Sequence, residues 1–125
     1  MASRHLFNKS KELREIFNEV YDNPSVLPIF DNASISTKTV TFTSAQDEIS
    51  ISVVVATVGA SPSVSIDVYP IDMFGNVLNS TPIYTQSALT AVGNAYGSFS
   101  TGRFRQFSIV VTASGTLTGT VVVYG

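Results

Sequence analysis

The side chains of this 125-residue chain that could do chemistry are few. His5 is its only histidine, so a Ser-His-Asp or Cys-His relay would have to be built on that residue alone. A solvated or interface histidine is the expectation. The carboxylate pairs on offer beyond residue 31 are Asp47 with Glu48 and Asp67 with Asp72. A glycosidase needs two carboxyls facing one cleft at a set separation. Asp47 and Glu48 are neighbours on a turn and point apart, while Asp67 and Asp72 flank a hairpin arm. Capping turns and solvating the surface is the expected role of all four. Asp72-x-x-Gly75-Asn76 offers oxygen atoms near a turn but lacks the dense Asp/Asn spacing of a calcium loop. A hairpin turn explains it. The series Gly93, Gly97, Gly102 carries no Lys-Ser/Thr and leads into no helix, so it is not a phosphate loop. Arg103 and Arg105, with Phe104 between them, are expected on one face of a strand. Two arginines are thin support for a nucleic-acid contact. Pairing with Asp or Glu, inside the fold or across a subunit boundary, is the expected use. This inventory points to no catalytic group, no metal and no cofactor.

Composition narrows the class further. At this length one domain with a real core is expected, without staples. There is no cysteine, hence no disulfide framework and no thiolate chemistry. Met1-Ala2-Ser3-Arg4-His5 is followed by no apolar signal region. The longest apolar run, 51–58, is interrupted by Ser52 and Thr57 and is far too short to span a bilayer. A soluble protein made in a cytoplasm, with no membrane contact, is the expectation. Net charge is -2, which favours neither nucleic acid nor acidic surfaces. Its distribution is uneven: residues 1–31 hold four basic and five acidic side chains, and the other 94 hold three and four. Only 13% of the chain is charged, against about 25% in ordinary soluble domains. Ser and Thr fill the gap. A β surface so poor in charge risks self-association wherever its edges are free. Coverage by neighbouring copies or a larger assembly is the sharper reading; solvation by Ser and Thr is the plainer one.

Two kinds of element must position these residues. Leu13, Ile16, Phe17, Val20 and Tyr21 fall at helical spacing and predict an amphipathic helix over 9–22. Asn8 or Ser10 can cap it, and Asp22-Asn23-Pro24 ends it. Residues 24–34 read as an extended arm, and Val26, Leu27, Ile29 and Phe30 make it too apolar for a free tether. The helix stripe, these four arm residues, Arg103 and Arg105 form the expected contact set toward another subunit or partner.

From Ile35 onward the period is two. Ile49, Ile51, Val53 and Val55 alternate with Ser50, Ser52 and Val54 and predict a central strand. Val64, Ile66 and Val68 repeat the pattern. Residues 71–78 read as a hairpin with Phe74-Gly75-Asn76 at its tip, and 83–89 and 95–99 as further strands. The closing stretch 102–125 reads as a hairpin, Phe107, Ile109 and Val111 on one arm and Val121 to Tyr124 on the other, turned at Ala113-Ser114-Gly115. About seven or eight short strands at sandwich-like spacing follow. The expected fold is therefore all-β: an antiparallel, jelly-roll-like sandwich over 35–125, preceded by the helix and arm of 1–34.

GRFRQFSIVVTASGTLTGTVVVYG and VSIDVYPIDMFGNVL carry a resemblance. Stretches of this kind make the body similar to small β-sandwich modules of tailed-bacteriophage virion proteins, of the capsid decoration (cement) or fibre type. The resemblance implies a non-enzymatic virion component, often trimeric, that binds the major capsid protein or a tail component. The alternative is a carbohydrate- or receptor-binding module. Its marker would be an exposed aromatic platform drawn from Tyr69, Tyr84, Tyr96 and Tyr124.

Overall fold

A computed structural model describes residues 25–125 of the chain. The predicted helix, with Leu13, Ile16, Phe17, Val20 and Tyr21, lies outside the described residues, as does His5. Eight strands follow in order: β1 (Val26–Ser34), β2 (Lys38–Thr43), β3 (Glu48–Val58), β4 (Ser63–Ile71), β5 (Tyr84–Leu89), β6 (Gly93–Ser100), β7 (Gln106–Ser114) and β8 (Leu117–Tyr124). They form two four-stranded antiparallel sheets, β1-β8-β3-β6 and β2-β7-β4-β5. Only the β4–β5 connection stays within one sheet; every other connection crosses to the opposite layer. The order is that of one long hairpin, β1 with β8, β2 with β7, β3 with β6 and β4 with β5, rolled up on itself.

The strands form where the sequence alternates, because each has one face to bury. From the first sheet, Ile49, Ile51, Val53 and Val55 of β3 and Leu117, Val121 and Val123 of β8 point inward. From the second, Val64, Ile66 and Val68 of β4 and Phe107, Ile109 and Val111 of β7 meet them. These side chains are all but completely buried. Each is worth about 1.5–3 kcal/mol relative to exposure, so this seam dominates the driving force for folding.

The closing stretch corrects one expectation. Both its strands form, yet β7 and β8 do not pair with each other. They stand in opposite sheets, joined by an arch in which Gly115 has φ of 69°. Alternation shows that a strand buries one face; it does not say whether its neighbour pairs beside it or packs across from it. Residues 71–78 form only a minimal hairpin: an isolated antiparallel Ile71–Val77 bridge, with the Leu78 amide donating to the Pro70 carbonyl and the Asp72 amide to the Asn76 carbonyl, closes a turn around Phe74 and Gly75.

The stretch read as an arm is extended, but it is hydrogen-bonded into the sheet as strand β1, along β8. Ile29 points into the core, and Leu27 and Phe30 pack against its rim. Pro28 is tolerated because β1 is an edge strand with an unpaired side. Register shifts on either side of Phe30 twist that edge. At the other side of the sandwich, Tyr84 of β5 stacks on Phe99 of β6 with centroids 5.1 Å apart, joining the two sheets.

The first sheet depends on a close approach. A Cβ on Gly119 would overlap the Val54 carbonyl oxygen, which is backbone and cannot give way. Gly119→Ala is therefore expected to destabilise the fold by about 1–3 kcal/mol or more, seen as a lower urea midpoint with little change in m-value. Gly97→Ala meets the Tyr84 ring instead. A side chain can move, so a smaller loss is expected there, with the Tyr84–Phe99 stack disturbed in near-UV circular dichroism.

Candidate functional site

Two surfaces stand out, a sheet face and a loop end. The outer face of the first sheet is built from the strand positions that alternate with the core. Register lays Pro28, Val122, Ser52 and Tyr96 in one row across four strands. Val26, Tyr124, Ser50 and Ser98 form the next row, and Thr120, Val54 and Asn94 a third. None of these side chains is charged. Tyr96 is 81% exposed, and Val26, Val54 and Tyr124 are exposed as well. Ser52, Val54, Asn94 and Tyr96 help line an open depression of about 320 Å³ on this face. The outer face of the second sheet differs. It presents Thr39, Thr41, Ser108, Thr112 and Ser65 beside Val110 and Tyr69, with Asp67 accepting a hydrogen bond from the Thr85 hydroxyl at 2.8 Å.

The loop end carries the β2–β3, β4–β5 and β6–β7 connections together with Ser25 and Gly125. Thr101 ties two of these loops: its amide donates to the Asp47 carbonyl at 2.8 Å and its hydroxyl to the Gln46 carbonyl at 2.8 Å. The Ser44 amide donates to the Arg105 carbonyl at 2.9 Å. Arg103 and Arg105 are therefore not on a strand as expected. They lie in the turn that Gly102 opens with φ of 61°, ahead of β7, because ladder pairing begins only at Gln106 with Thr43. Both are exposed, and among the described residues neither forms an ion pair with a carboxylate. Arg105 Nη1 donates to the Phe104 carbonyl at 3.0 Å.

The other expected contact residues separate. Val26 is on the uncharged sheet face, Leu27 and Phe30 are half-buried at the core's rim, and Ile29 is buried. The four tyrosines do not make one platform. Tyr96 and Tyr124 share the first sheet's outer face, Tyr69 is on the opposite outer face, and Tyr84 packs on Phe99, where burial pushes its hydroxyl pKa up. Sequence reasoning missed Val54 and Val122, although each breaks a strand's alternation in a run of three valines. It also read Met73 and Phe74 only as part of a turn, although large apolar residues at a tip are unusual.

No carboxylate cleft of the glycosidase kind is assembled among the described residues. Asp47 and Glu48 line an open depression of about 470 Å³ with Ser50 and Tyr124. Asp67 is on the second sheet's outer face and Asp72 is in the β4–β5 loop. Among the described residues no group of three or more His, Cys, Asp or Glu could hold a metal. The Asp72 carboxylate instead ties its own loop. It accepts from the Phe74 amide at 2.8 Å, the Asn76 amide at 2.9 Å and the Asn76 side-chain amide at 3.1 Å. The Asn76 backbone hydrogen bond, ahead of the others, holds its pKa below the usual carboxylate range. The folded carboxyl thus titrates below its unfolded value of about 3.9. It supports the turn above that pH and loses the effect as pH falls through the folded value. The amide proton shifts of Phe74 and Asn76 should therefore hold constant above about pH 5 and move together below pH 4. In Asp72→Ala they should be displaced at every pH.

No known family matches the chain, and no curated protein matches it in sequence. Solved structures with a similar strand arrangement include the SPBc2 prophage-derived protein YomS, at 20% identity, covering 82% of this chain and 95% of that one, with a TM-score of 0.44. The VP2 subviral particle of infectious bursal disease virus is similar at 14% identity, covering 83% of this chain and 33% of the VP2 chain, with a TM-score of 0.43. A disulfide-linked pilus subunit of Bacillus endospore appendages is similar at 14% identity, covering 82% of both chains, with a TM-score of 0.41. The neighbours thus include a prophage protein and a viral capsid protein, at similarities too low to transfer an activity or a partner.

Proposed function

We propose that this chain is a non-enzymatic structural protein of a virion, a capsid decoration (cement) or other capsid- or tail-associated component that works through subunit contacts. The observation that carries this reading is the outer face of the β1-β8-β3-β6 sheet: three cross-strand rows without a charge, displaying Val26, Val54, Val122, Tyr96 and Tyr124. The rolled-hairpin order is that of a jelly roll, an architecture used by capsid domains but also by lectins and cupins. Fold alone does not choose among these; the uncharged face is what supports the assembly reading. A flat, uncharged, partly apolar face is covered in the working state far more readily than it is wetted. The natural occupant is another copy of this chain, a trimer being the favoured form, with the major capsid protein or a tail protein as further partner. The stripe Leu13, Ile16, Phe17, Val20 and Tyr21, and Arg103 and Arg105 at the loop end, supply further contacts beyond this face. Location in the virion after synthesis in the host cytoplasm follows from the same reading.

Size argues that the face does not act alone. Strands about 4.8 Å apart and rows about 7 Å apart give the three rows a projected area of only a few hundred Å². A stable interface buries about 800 Å² per partner. Contacts from the loop end or from residues 1–24 are needed to complete it.

Tyr96, 81% exposed beside its depression, favours a second reading, a glycan- or receptor-binding module. In light scattering the full chain is expected to run as an oligomer. Val54→Glu with Tyr96→Glu should weaken association about tenfold or more, roughly 1.4 kcal/mol, while far-UV circular dichroism stays unchanged. A wild-type chain that remains monomeric at every concentration defeats the self-assembly reading. Glycan-array binding that Tyr96→Ala abolishes would put the second reading first.

A further inference from the structure

The loop end holds a second exposed surface, distinct from the sheet face. Met73 is 79% exposed and Phe74 is 82% exposed. They are not on a slack loop. The Asp72 carboxylate accepts from Phe74 and Asn76, the Asp72 amide donates to the Asn76 carbonyl at 3.0 Å, and the Gly75 amide donates to the Asp72 carbonyl at 3.1 Å. Two large apolar side chains are thus presented to solvent by a tied turn. Beside them, Met73, Phe104, Arg103 and Arg105 help line an open depression of about 390 Å³. The two arginines are the only basic side chains of residues 25–125 apart from Lys38, which sits 5.5 Å from the Phe30 ring centroid. A tied apolar knob rimmed by two guanidinium groups that have no carboxylate partner among the described residues fits an apolar segment edged with carboxylates.

This chain contains such a segment. Residues 15–22 read EIFNEVYD, with Ile16, Phe17, Val20 and Tyr21 apolar and Glu15, Glu19 and Asp22 acidic. No basic residue lies between Arg14 and Lys38. At helical period, Glu15, Glu19 and Asp22 fall on one line beside the line of Ile16 and Val20. The carboxylates and apolar groups would then run side by side, as the arginines and the knob do. Ser25, where the described residues begin, lies at that same end of the sandwich. The Ser25 amide donates to the Gly125 carbonyl at 2.7 Å, and the Gly125 amide returns the bond at 2.8 Å. That end holds the Thr43–Gln106 and Ile71–Gln106 pairs, next to the Arg105 and Met73 loops. Asp22 is three residues from Ser25, so it lies within about 11 Å of that anchor.

We propose that residues 15–22 of a neighbouring copy dock on the Met73–Phe74–Phe104 knob, with Glu15, Glu19 and Asp22 facing Arg103 and Arg105. This rests on the self-assembly reading and names one of its contacts. A neighbour is favoured over the same chain for two reasons. β1 is at one edge of the sandwich, while the Met73 loop leaves β4 for β5, the opposite edge. Asn23 precedes Pro24, a pairing that disfavours the α region at Asn23 and so works against a tight reversal of the chain there. Because donor and acceptor leave from the same end, two copies meeting end to end can exchange segments reciprocally, each closing the other's patch.

The chain has no native cysteine, which makes disulfide trapping in the full-length protein unambiguous. Val20→Cys and Met73→Cys are made as separate full-length variants, mixed and mildly oxidised. A mixed disulfide dimer is the expected product, reduced at least about tenfold when Arg103→Glu and Arg105→Glu are added, since two favourable contacts become repulsive. Glu15→Arg with Glu19→Arg on the donor should restore the yield. If the Val20→Cys/Met73→Cys double variant closes within one chain and the mixed variants give no dimer, the segment docks on its own body and the inference is wrong. Absence of any cross-link from a chain that light scattering shows to be oligomeric also overturns it, while leaving self-assembly standing. A cross-link yield indifferent to both charge reversals overturns the role given to the arginines.

Discussion

One constraint shapes this molecule: every long strand has a single apolar face, and those faces have only each other to meet. Ile109 and Val111 on β7 and Val121 and Val123 on β8 cannot share a buried side within one two-stranded ribbon without leaving it open to water. Placing β7 and β8 in opposite layers closes the seam from both sides at once. The other crossing connections follow, since a chain that alternates layers must cross at nearly every turn. Within the first sheet, β3 and β8 pair closely beside a register shift, and Gly119 against the Val54 carbonyl shows where backbone approach reaches its limit.

Given that seam, the outer faces are free to diverge. The second sheet turns mainly hydroxyls outward, with Val110, Tyr69 and the charged Asp67 among them. The first turns out valine, proline and tyrosine with serine between, and no charge in its three rows. Charge is concentrated elsewhere: in residues 1–31, in Asp47 and Glu48 on the loop end, and in Arg103 and Arg105. In the proposed assembly, such a division lets a flat face supply contact area while ionic groups at the end set orientation. Electrostatic contacts at an interface rim govern register more than affinity, whereas apolar burial supplies the attraction.

How much of this was legible in the residues varies by element. The central strand β3 and the following strand β4 were plain, because Ile49, Ile51, Val53 and Val55, then Val64, Ile66 and Val68, recur at every second position, with Val54 the one apolar residue between them. β1 was less plain: Pro28 and the register shifts around Phe30 break its period, so it read as an arm and not as a sheet edge. Arg103 and Arg105 alternate with Phe104 as a strand would, but Gly102 at positive φ and the Thr101 hydrogen bonds hold them in a turn. The sheet-face site was half visible. Val54 and Val122 stand where polar residues belong, yet only register shows that both lie in rows ending at Tyr96 or Asn94.

By itself the sequence determined which residues face inward, that the body is β, and that thiolate chemistry is absent and histidine chemistry confined to His5. Those properties are local, carried by a period of two and by residue types. Only the tertiary structure decided which strands pair, that the closing strands form an arch, and that Met73, Phe74 and the two arginines share one end. Strand pairing joins residues far apart in the chain, as Val26 joins Tyr124. A period-two pattern is the same whether its partner lies beside it or across the core, so no stretch of sequence could have chosen between them.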